Sequence, residues 1–594
     1  MCGLAGEIRF DGRQADIAAI ERANDVLAPR GPDDSGLWWS GSHGMASRRL
    51  SIIDESVAGA QPMVDQELGL TIAFNGCIYD HAELRGELEK LGHTFRSHSD
   101  TEVIAKAYAE WGVRCVERFH GMFAFAIIEH ESGRLVLARD RLGVKPLYVD
   151  HTPERLRFAS TLPALLAAGG VDTSIDAVAL SHYLSLNSIV PSPRTIISGV
   201  RKLPPATIRV VESDGTTRDT VYWDLRFERA PERAGWSERD WQDALLDALR
   251  VAVRRRFVSD VPVGVLLSGG LDSSLLVALA HEAGHDRLPT FSIGFPSMAG
   301  SDGDEFAYSD LVARQFDTDH HRIEVSSSRL LDALGGAVTS MSEPMISPDC
   351  VAFHLLAEET SQHVKVVQGG QGADELLAGY HWYPKLADVS RGDADDAYRR
   401  VFVDRSHDEL SAMLEPDWMI DADEPRRFVE EWFARPGATT TVDAALRIDT
   451  RVMLVDDPLK RLDNMTMASG VEAREPYLDH ELVEVAASIP PELKLAHGGK
   501  GVLKQAARGL LPAEVIDRDK GYFRVPELRH LDAPYVELVR AALTDPAAKR
   551  RGLFRPEIVE SKLSDPDRHR TPIGSNALWQ LGLLEMWLQV HGIA

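Results

Sequence analysis

The string LLSGGLDSS at residues 266–274 constrains the fold of this chain more than any other feature. It lies between the apolar runs VPVGV and LLVALA, so it predicts a buried strand, a glycine loop and a helix that begins near Asp272. In such a loop the backbone N–H groups of Ser268, Gly269 and Gly270 turn inward, and the helix dipole adds positive potential. The string therefore predicts a phosphate cradle. It is not of the Walker type, because the chain contains no GxxxxGK[ST] pattern.

The same pattern of strand, loop and helix recurs after about residue 235. PTFSIGF, HHRIEV and VKVVQGG predict further strands, and helical stretches separate them. Strands that alternate with helices form parallel sheets covered on both faces, so residues 235–594 are predicted to form an α/β domain. The charged stretch from about residue 385 to 440 predicts a surface insertion.

Residues 1–225 have a different pattern, with short apolar strands joined by turns. In MFAFAIIEHESGRLVLARD a turn at residues 131–133 joins two predicted strands. Two helical patterns interrupt the strands: TEVIAKAYAEWGVRCVERF, and DHAELRGELEKLG with Leu84, Leu88 and Leu91 on one face. This half is therefore predicted to be an α+β domain, and VVESDGTTRDTVYWDLRFERAPERAG is the predicted linker to the next.

The charge of the chain restricts its partners. Lys and Arg number 65 against 91 Asp and Glu, a formal net charge of −26, which repels nucleic acid and anionic membranes. The 4 cysteines are too sparse for a disulfide framework and form no CxxC pair. No apolar run approaches the roughly 20 residues that span a bilayer. These features predict a cytoplasmic protein whose partners are small molecules or protein, with no nucleic acid and no membrane.

A cysteine directly follows the initiator methionine in MCGLAG. If the methionine is removed, Cys2 carries both a thiol and the free α-amine of the chain. This arrangement gives a nucleophile and a base on one residue. Position alone makes it a weak signal, since any residue can follow methionine.

The order of motifs along the chain resembles that of the glutamine-hydrolysing asparagine synthetase family. The matching strings are MCGLAG, PRGPDDSG, RRLSIID, FNGCIYD, SHSD, GMFAFA, ARDRLGVKPLY, SDVPVGVLLSGGLDSS, GGQGADE, LKRLDNMTMASGVEAREPYLD and KGVLKQAARGLLP. The resemblance implies an αββα glutaminase domain of the N-terminal-nucleophile class at residues 1–225. It implies an ATP-pyrophosphatase domain with a parallel sheet at residues 235–594, and a homodimer is a possible assembly.

The resemblance also assigns roles in the glutaminase half. Cys2 corresponds to the nucleophile that attacks the side-chain amide of glutamine, with its own α-amine as base. Asn75 and Gly76 correspond to the oxyanion hole, Arg49 to the residue that binds the glutamine carboxylate, and Asp100 to the partner of its α-ammonium. The chain departs from the usual NGEIYN by reading NGCIYD, with Cys77 and Asp80.

In the synthetase half the resemblance implies an acyl-adenylate reaction. An acceptor carboxylate attacks the α-phosphorus of ATP, and ammonia from glutamine then displaces AMP after crossing between the domains. Asp272 and Asp374 are expected to hold Mg²⁺ with the ATP phosphates, and Lys500 to neutralise the departing pyrophosphate. The expected ATP-binding residues are Leu266, Ser268, Gly269, Gly270, Asp272, Ser273, Ile293 and Gly370.

The identity of the acceptor depends on Gln371. Asparagine synthetases commonly read GEG in this loop, whereas this chain reads GGQGADE, and a glutamine side chain has no charge and cannot act as a base. The chain is similar in this respect to the N-acetylglutaminylglutamine amidotransferase branch, which amidates the C-terminal carboxylate of an acetylated dipeptide. Gln371 and Glu343 are the candidate acceptor residues, with Asp349 in the same predicted wall, SEPMISPDC.

Three functions are compatible with these residues. The first is amidation of the acetylated dipeptide, and the second is asparagine synthesis with a tolerated Gln371. The third is a glutaminase-like or regulatory protein that binds nucleotide without turnover, which the presence of Asp272, Asp374 and Lys500 disfavours.

Overall fold

The computed structural model describes residues 2–296, 304–518, 525, 528, 531–566, 568 and 570–594. The strands of the first half are β1 (Cys2–Arg9), β2 (Asp34–Ser40), β3 (His43–Arg49), β4 (Met63–Asp65), β5 (Leu70–Ile78), β6 (Gly121–Glu129), β7 (Leu135–Arg139), β8 (Tyr148–His151), β9 (Arg155–Ala159), β10 (Arg201–Lys202), β11 (Thr207–Val211) and β12 (Thr217–Val221). Its α-helices are α1 (Ile17–Val26), α2 (His81–Lys90), α3 (Asp100–Trp111), α4 (Leu162–Ala168) and α5 (Ala177–Ser185).

These strands form two antiparallel six-stranded sheets, in the orders β10-β8-β9-β1-β3-β2 and β12-β11-β7-β6-β5-β4. Apolar side chains from both sheets, among them Leu4, Ala126 and Phe158, form one buried cluster. Helices α1 and α4 cover the outer face of the first sheet, and α2 and α3 cover that of the second. The predicted αββα sandwich is confirmed.

One detail of the predicted helix faces is wrong. Leu84 and Leu88 are buried in the core as expected, but Leu91 is 53% exposed. Helix α2 ends at Lys90, and Gly92 turns the chain with φ of +100°. Leu91 therefore leaves the helical face that its spacing suggests.

The second half contains a five-stranded sheet in the order β15-β14-β13-β16-β17, all of whose neighbouring strands are parallel. Its strands are β13 (Val263–Leu266), β14 (Pro289–Gly294), β15 (Asp319–Glu324), β16 (Val366–Gln368) and β17 (Glu472–Arg474). The predicted α/β architecture is confirmed. The strand order reverses between β13 and β16, so the loops that follow these two strands meet at the carboxyl edge, where open parallel sheets bind ligands.

Helices surround this sheet and extend beyond it. They are α6 (Glu238–Arg255), α7 (Leu271–Glu282), α8 (Phe306–Gln315), α9 (Ser327–Ser340), α10 (Asp349–Thr360), α11 (Ala373–Leu377), α12 (Ala394–Phe402), α13 (His407–Met413), α14 (Glu424–Ala434), α15 (Thr441–Ile448), α16 (Lys460–Met467), α17 (His480–Ser488), α18 (Pro491–Leu495), α19 (Gly501–Ala506) and α20 (Ala513–Ile516). The later helices are Ala533–Thr544, Pro546–Arg551, Pro556–Ser564 and Ala577–Val590. Within the described ranges, no helix combines the length and the apolar character needed to cross a membrane.

The predicted surface insertion at 385–440 is only partly on the surface. Phe402 and Phe433 belong to the buried core of the second half. The Tyr398 hydroxyl, also buried, donates a hydrogen bond to the carboxylate of Asp449. Aromatic residues thus anchor helices α12 and α14, while their charged faces meet solvent.

The two halves share a core. Leu180 and Leu184 of α5 lie in the same buried cluster as Trp587 of the last helix. The hydroxyl of Tyr183 donates a hydrogen bond of 3.0 Å to the backbone carbonyl of Gln580. Two elements distant in sequence therefore close one side of the contact between the halves.

Candidate functional sites

Cys2 is the first residue of β1, and its register partner in β3 is Arg49. The thiol is buried, and Gln61 Nε2 lies 3.6 Å from Cys2 Sγ. The Cys2 backbone N–H donates to Asn75 Oδ1 at 3.1 Å. A small cavity of about 20 Å³ adjoins the thiol, and Arg49, Gly76 and Asp100 also line it. The fold thus brings the predicted glutaminase residues together from β1, β3, β5 and α3.

Asn75 and Gly76, the predicted oxyanion hole, lie beside Cys2. Because Asn75 Oδ1 accepts from Cys2, the amide Nδ2 is directed elsewhere, and it is buried with no partner among the described residues. Gly76 has φ of +155°, and a Cβ there would lie 2.1 Å from the carbonyl oxygen of Met122. Only glycine fits this position, which lies directly beside the nucleophile.

Arg49 and Asp100 are held by backbone groups. The Arg49 guanidinium donates to the carbonyl oxygens of Ile53, Asp54 and Ser56. Asp100 is the first residue of α3, and its Oδ2 accepts the Ile78 N–H at 3.0 Å. Both side chains are therefore fixed in place before any ligand arrives.

Burial raises the pKa of the Cys2 thiol, and the positive charge of Arg49 opposes this effect. The thiol is consequently protonated at neutral pH, and a nucleophilic attack needs a base to remove the proton. Burial likewise raises the pKa of Cys77. Cys77 packs with Tyr79 and Met122 and fills space beside the cavity, while Asp80 precedes α2 and binds His120 at 2.9 Å.

The second candidate site lies at the carboxyl edge of the parallel sheet. Helix α7 begins at Leu271 with Gly270 as its N-cap, which confirms the predicted helix start. The Ser268 and Ser273 hydroxyls lie 3.0 Å apart, and Gly269 has φ of +74°. The loop borders an open cavity of about 430 Å³. Predicted residues that line the cavity are Leu266, Ser268, Gly270, Asp272, Ser273, Ile293, Asp349, Gly370, Gln371, Asp374 and Lys500.

Lys500 joins the two loops of this site. Its Nζ lies 2.5 Å from Asp272 Oδ2 and 2.6 Å from Asp374 Oδ1. Burial lowers the pKa of Lys500, but the two carboxylates outweigh burial and raise the pKa above its usual range. Lys500 is therefore a permanent cation at the phosphate cradle. The two carboxylates converge on Lys500 Nζ, and carboxylate oxygens are of the donor type that suits a hard divalent cation.

Two predicted residues lie outside the lining of this cavity. Gly269 backs the loop against α8, where a Cβ would lie 2.6 Å from the Ser309 backbone nitrogen. Glu343 is fully buried at the contact between the halves, where Oε2 lies 3.0 Å from Lys202 Nζ and 3.1 Å from Lys460 Nζ. The expectation that Glu343 forms the acceptor wall is thus corrected. A buried carboxylate needs cationic partners, and the nearest cations are these lysines.

Arg461 and Glu475 also line this cavity, and neither was predicted from the sequence as a site residue. Arg461 is buried on α16, with Nη2 3.8 Å from Asp349 Oδ2 and Nη1 3.2 Å from Asp457 Oδ1. Glu475 directly follows β17 and is 2% exposed. The available signal was that both residues lie within the motif LKRLDNMTMASGVEAREPYLD.

Comparison with known proteins identifies both halves. The family model described as asparagine synthase matches residues 244–589, and that of a glutamine amidotransferase domain matches residues 1–223. The chain belongs to the asparagine synthase family. As a member, it is a glutamine-dependent amidotransferase that forms a carbon–nitrogen bond with the use of ATP.

Relatives in this family match over nearly the whole chain. Asparagine synthetase [glutamine-hydrolyzing] 1 of Bacillus subtilis (strain 168) is 31% identical over 100% of this chain and 97% of its own length. Asparagine synthetase [glutamine-hydrolyzing] 3 of the same organism is 30% identical over 89% and 88%. Amidase chry2 of Gibberella zeae is 26% identical over 89% of both chains. The asparagine synthase architecture therefore extends through both halves.

Proposed function

We propose that this protein amidates the C-terminal carboxylate of N-acetylglutaminylglutamine, using ATP and ammonia released from glutamine at Cys2. The observation that carries this choice of acceptor is Gln371, whose uncharged side chain borders the cavity beside the phosphate cradle. An amide side chain both donates and accepts hydrogen bonds, as the amide groups of a peptide acceptor do. An acetylated dipeptide has no α-ammonium group and needs no carboxylate at this position.

The glutaminase half supplies the ammonia. The Cys2 thiolate attacks the side-chain amide carbon of glutamine, after its proton passes to the α-amine exposed by methionine removal. Asn75 Nδ2 and the Gly76 N–H donate to the oxygen on which negative charge develops. Arg49 and Asp100 hold the carboxylate and ammonium of the substrate. Ammonia leaves as the thioester forms, and water then releases glutamate.

The synthetase half activates the acceptor. The acceptor carboxylate attacks the α-phosphorus of ATP, and pyrophosphate leaves toward Lys500 and the N–H groups of the loop before α7. Asp272 and Asp374, whose carboxylates both lie beside Lys500, would hold Mg²⁺ together with phosphate oxygens and water. The ion would neutralise charge on the phosphates.

Small cavities between the two sites support the transfer of ammonia. Glu472 and Arg474 of β17 line the Cys2 cavity, so the second half reaches the nucleophile directly. The Cys77, Tyr79 and Met122 cluster separates that cavity from one at the contact between the halves. A route through these cavities, closed to bulk water, would protect ammonia from protonation.

Asparagine synthesis is the second candidate, and Asp349 favours it. Asp349 lines the cavity and presents a carboxylate that the α-ammonium of aspartate could bind. Burial raises the pKa of Asp349 to about 6, although the nearby Arg461 opposes this rise. The carboxylate is therefore mostly ionised at neutral pH, as an ammonium partner must be.

The deciding experiment measures acceptor-dependent release of pyrophosphate with Mg-ATP and ammonium, which bypasses the glutaminase. Aspartate and N-acetylglutaminylglutamine are offered in separate reactions, and a reaction without acceptor sets the background. Release with the dipeptide supports the proposal. Release with aspartate alone assigns the protein to asparagine synthesis, and no release with either refutes both candidates.

A further inference from the structure

Glu475 lies where the parallel sheet faces the first half. It directly follows β17, the edge strand beside β16, and therefore sits at the same carboxyl edge as the GGQGADE loop. Its Oε2 accepts the backbone N–H of Gln371 at 2.7 Å. The other oxygen, Oε1, is buried and has no hydrogen-bond partner within the described part of the chain. Burial of a carboxylate oxygen that accepts no hydrogen bond costs free energy, unless a ligand supplies the donor.

Glu475 lines two cavities. It lines the 430 Å³ cavity that contains Lys500 and Gln371. It also lines the small cavity at the contact between the halves, together with Tyr79 and Met122 of the first half. Among the described residues no other side chain lines both. The Glu475 carboxylate therefore borders both the synthetase cavity and the cavity that reaches the first half.

The surroundings of Glu475 suit proton transfer. Burial raises the pKa of Glu475 to about 7, while the hydrogen bond from Gln371 and the charges of Arg256 and Lys145 oppose this rise. A group that titrates near neutral pH both accepts and releases a proton readily under cellular conditions. Asp272 and Asp374 differ from Glu475 because both of them pair with Lys500.

We propose that Glu475 is the catalytic base of the amidation step. Ammonia attacks the acyl carbon of the acyl-adenylate, and the new carbon–nitrogen bond leaves an extra proton on nitrogen. Oε1 of Glu475 accepts that proton as the bond to the AMP oxygen breaks, and the proton then passes to solvent as AMP leaves. The proposal rests on the function above only in its acyl-adenylate step, and it holds for either acceptor.

The test replaces the carboxylate with an amide of the same shape. Glu475→Gln keeps an oxygen that accepts the Gln371 N–H but cannot take up a proton. We expect the ammonium-dependent formation of amide to fall by about 10²-fold or more, as for the loss of a general base. Acceptor-dependent exchange of pyrophosphate into ATP, which reports adenylation alone, is expected to be unchanged.

A second nucleophile separates a chemical role from a structural one. Hydroxylamine loses its proton more easily than ammonia does, so the variant should retain a larger fraction of wild-type activity with hydroxylamine. Asp404→Asn is the matched control, because Asp404 is a buried carboxylate with a pKa raised by burial to about 7 and lies outside both cavities. Its amidation rate should equal that of the wild type.

Two results would overturn the proposal. One is full amidation activity of Glu475→Gln with ammonium. The other is an equal loss of pyrophosphate exchange and amidation in a folded variant, which would make Glu475 a structural support of the loop. Failure of the proposed function looks different, because wild-type protein would then show no acceptor-dependent exchange at all.

Discussion

Arg30 Nη1 lies 2.8 Å from Asp463 Oδ2, and this ion pair joins the two halves of the chain. The same guanidinium lies next to the nucleophile, since Arg30 Nε is 3.4 Å from the carbonyl oxygen of Cys2. Lys145 Nζ also approaches Asp463, at 3.4 Å from Oδ1. All three side chains are buried. A single carboxylate on α16 thus pairs with two cations of the glutaminase half.

Asp463→Asn should destabilise the protein strongly. The substitution leaves two buried cations without their counter-charge, which typically costs about 3–5 kcal/mol. The free energy of unfolding in urea measures the loss. Asp25→Asn is the matched control, because Asp25 pairs with Arg48 on the surface and is 75% exposed, so its removal should change stability very little. Equal stability of the two variants would contradict this account.

The pairing of Asp463 with Arg30 also makes the free energy of unfolding depend on pH. Burial raises the pKa of Asp463, but the charges of Arg30 and Lys145 outweigh burial and hold the pKa below its usual range. A lowered carboxyl pKa stabilises the fold above the unfolded pKa of about 4, and the contribution is lost as pH falls through the folded value. Unfolding curves between pH 7 and 3 should show this loss in the wild type and a smaller one in Asp463→Asn.

Cys2→Ala should separate the two activities. Without the thiol, glutamine-dependent amidation is expected to fall by at least about 10³-fold, as for the loss of other catalytic nucleophiles. Amidation with ammonium should persist, because Cys2 does not line the 430 Å³ cavity that contains Lys500. Cys115→Ala, which removes a buried thiol that lines neither cavity, should preserve both activities. Loss of the ammonium reaction in a folded Cys2→Ala protein would contradict this division of roles.

Gly76→Ala should impair both folding and glutamine hydrolysis. The new Cβ would lie 2.1 Å from the Met122 carbonyl oxygen, at a φ that costs roughly 1–3 kcal/mol for other residues. Displacement of β5 would also move the Gly76 N–H, which is proposed to donate to the oxyanion. Gly86→Ala in α2 is the control, because its Cβ would meet nothing within 4 Å and alanine favours helices. Thermal melts and glutaminase assays distinguish the two variants.

Lys500→Met should stop adenylation and spare glutamine hydrolysis. The substitution removes the cation between Asp272 and Asp374, which is proposed to receive pyrophosphate. A loss of about 10²–10³-fold is typical when one group that stabilises transition-state charge is deleted. Acceptor-dependent exchange of pyrophosphate into ATP measures the effect, and the glutaminase rate of the same preparation is the internal control. Unchanged exchange would show that Lys500 does not act on the phosphates.

Local rules explain why the phosphate loop was predictable from sequence. The SGGLDSS string specifies a strand end, a positive φ at Gly269 and a helix start at Leu271 within a few residues, and the structure has all three. Lys500 is different, since its pairing with Asp272 spans 228 positions. No local pattern encodes that distance, and only the order of motifs along the chain pointed to this lysine.

Long-range contacts also explain why some residues were wrongly placed or missed. Glu343 stands 141 positions from Lys202, and the choice between a cavity wall and a buried ion pair depends on how the halves meet. Glu475 was missed because its importance comes from two cavities built by distant segments. The prediction for Leu91 failed for a local reason, because the hydrophobic spacing continues past Lys90, where the helix ends.

The shared core of α5 and the last helix has a consequence for cooperativity. Leu184 and Trp587 are buried in one cluster, and Tyr183 is bonded to Gln580 across the contact. If one half unfolded, the other would expose this apolar surface and the buried charges of Arg30 and Asp463. Calorimetry should therefore record one melting transition for the whole chain, and a chain divided near residue 230 should give two insoluble fragments instead of two working enzymes.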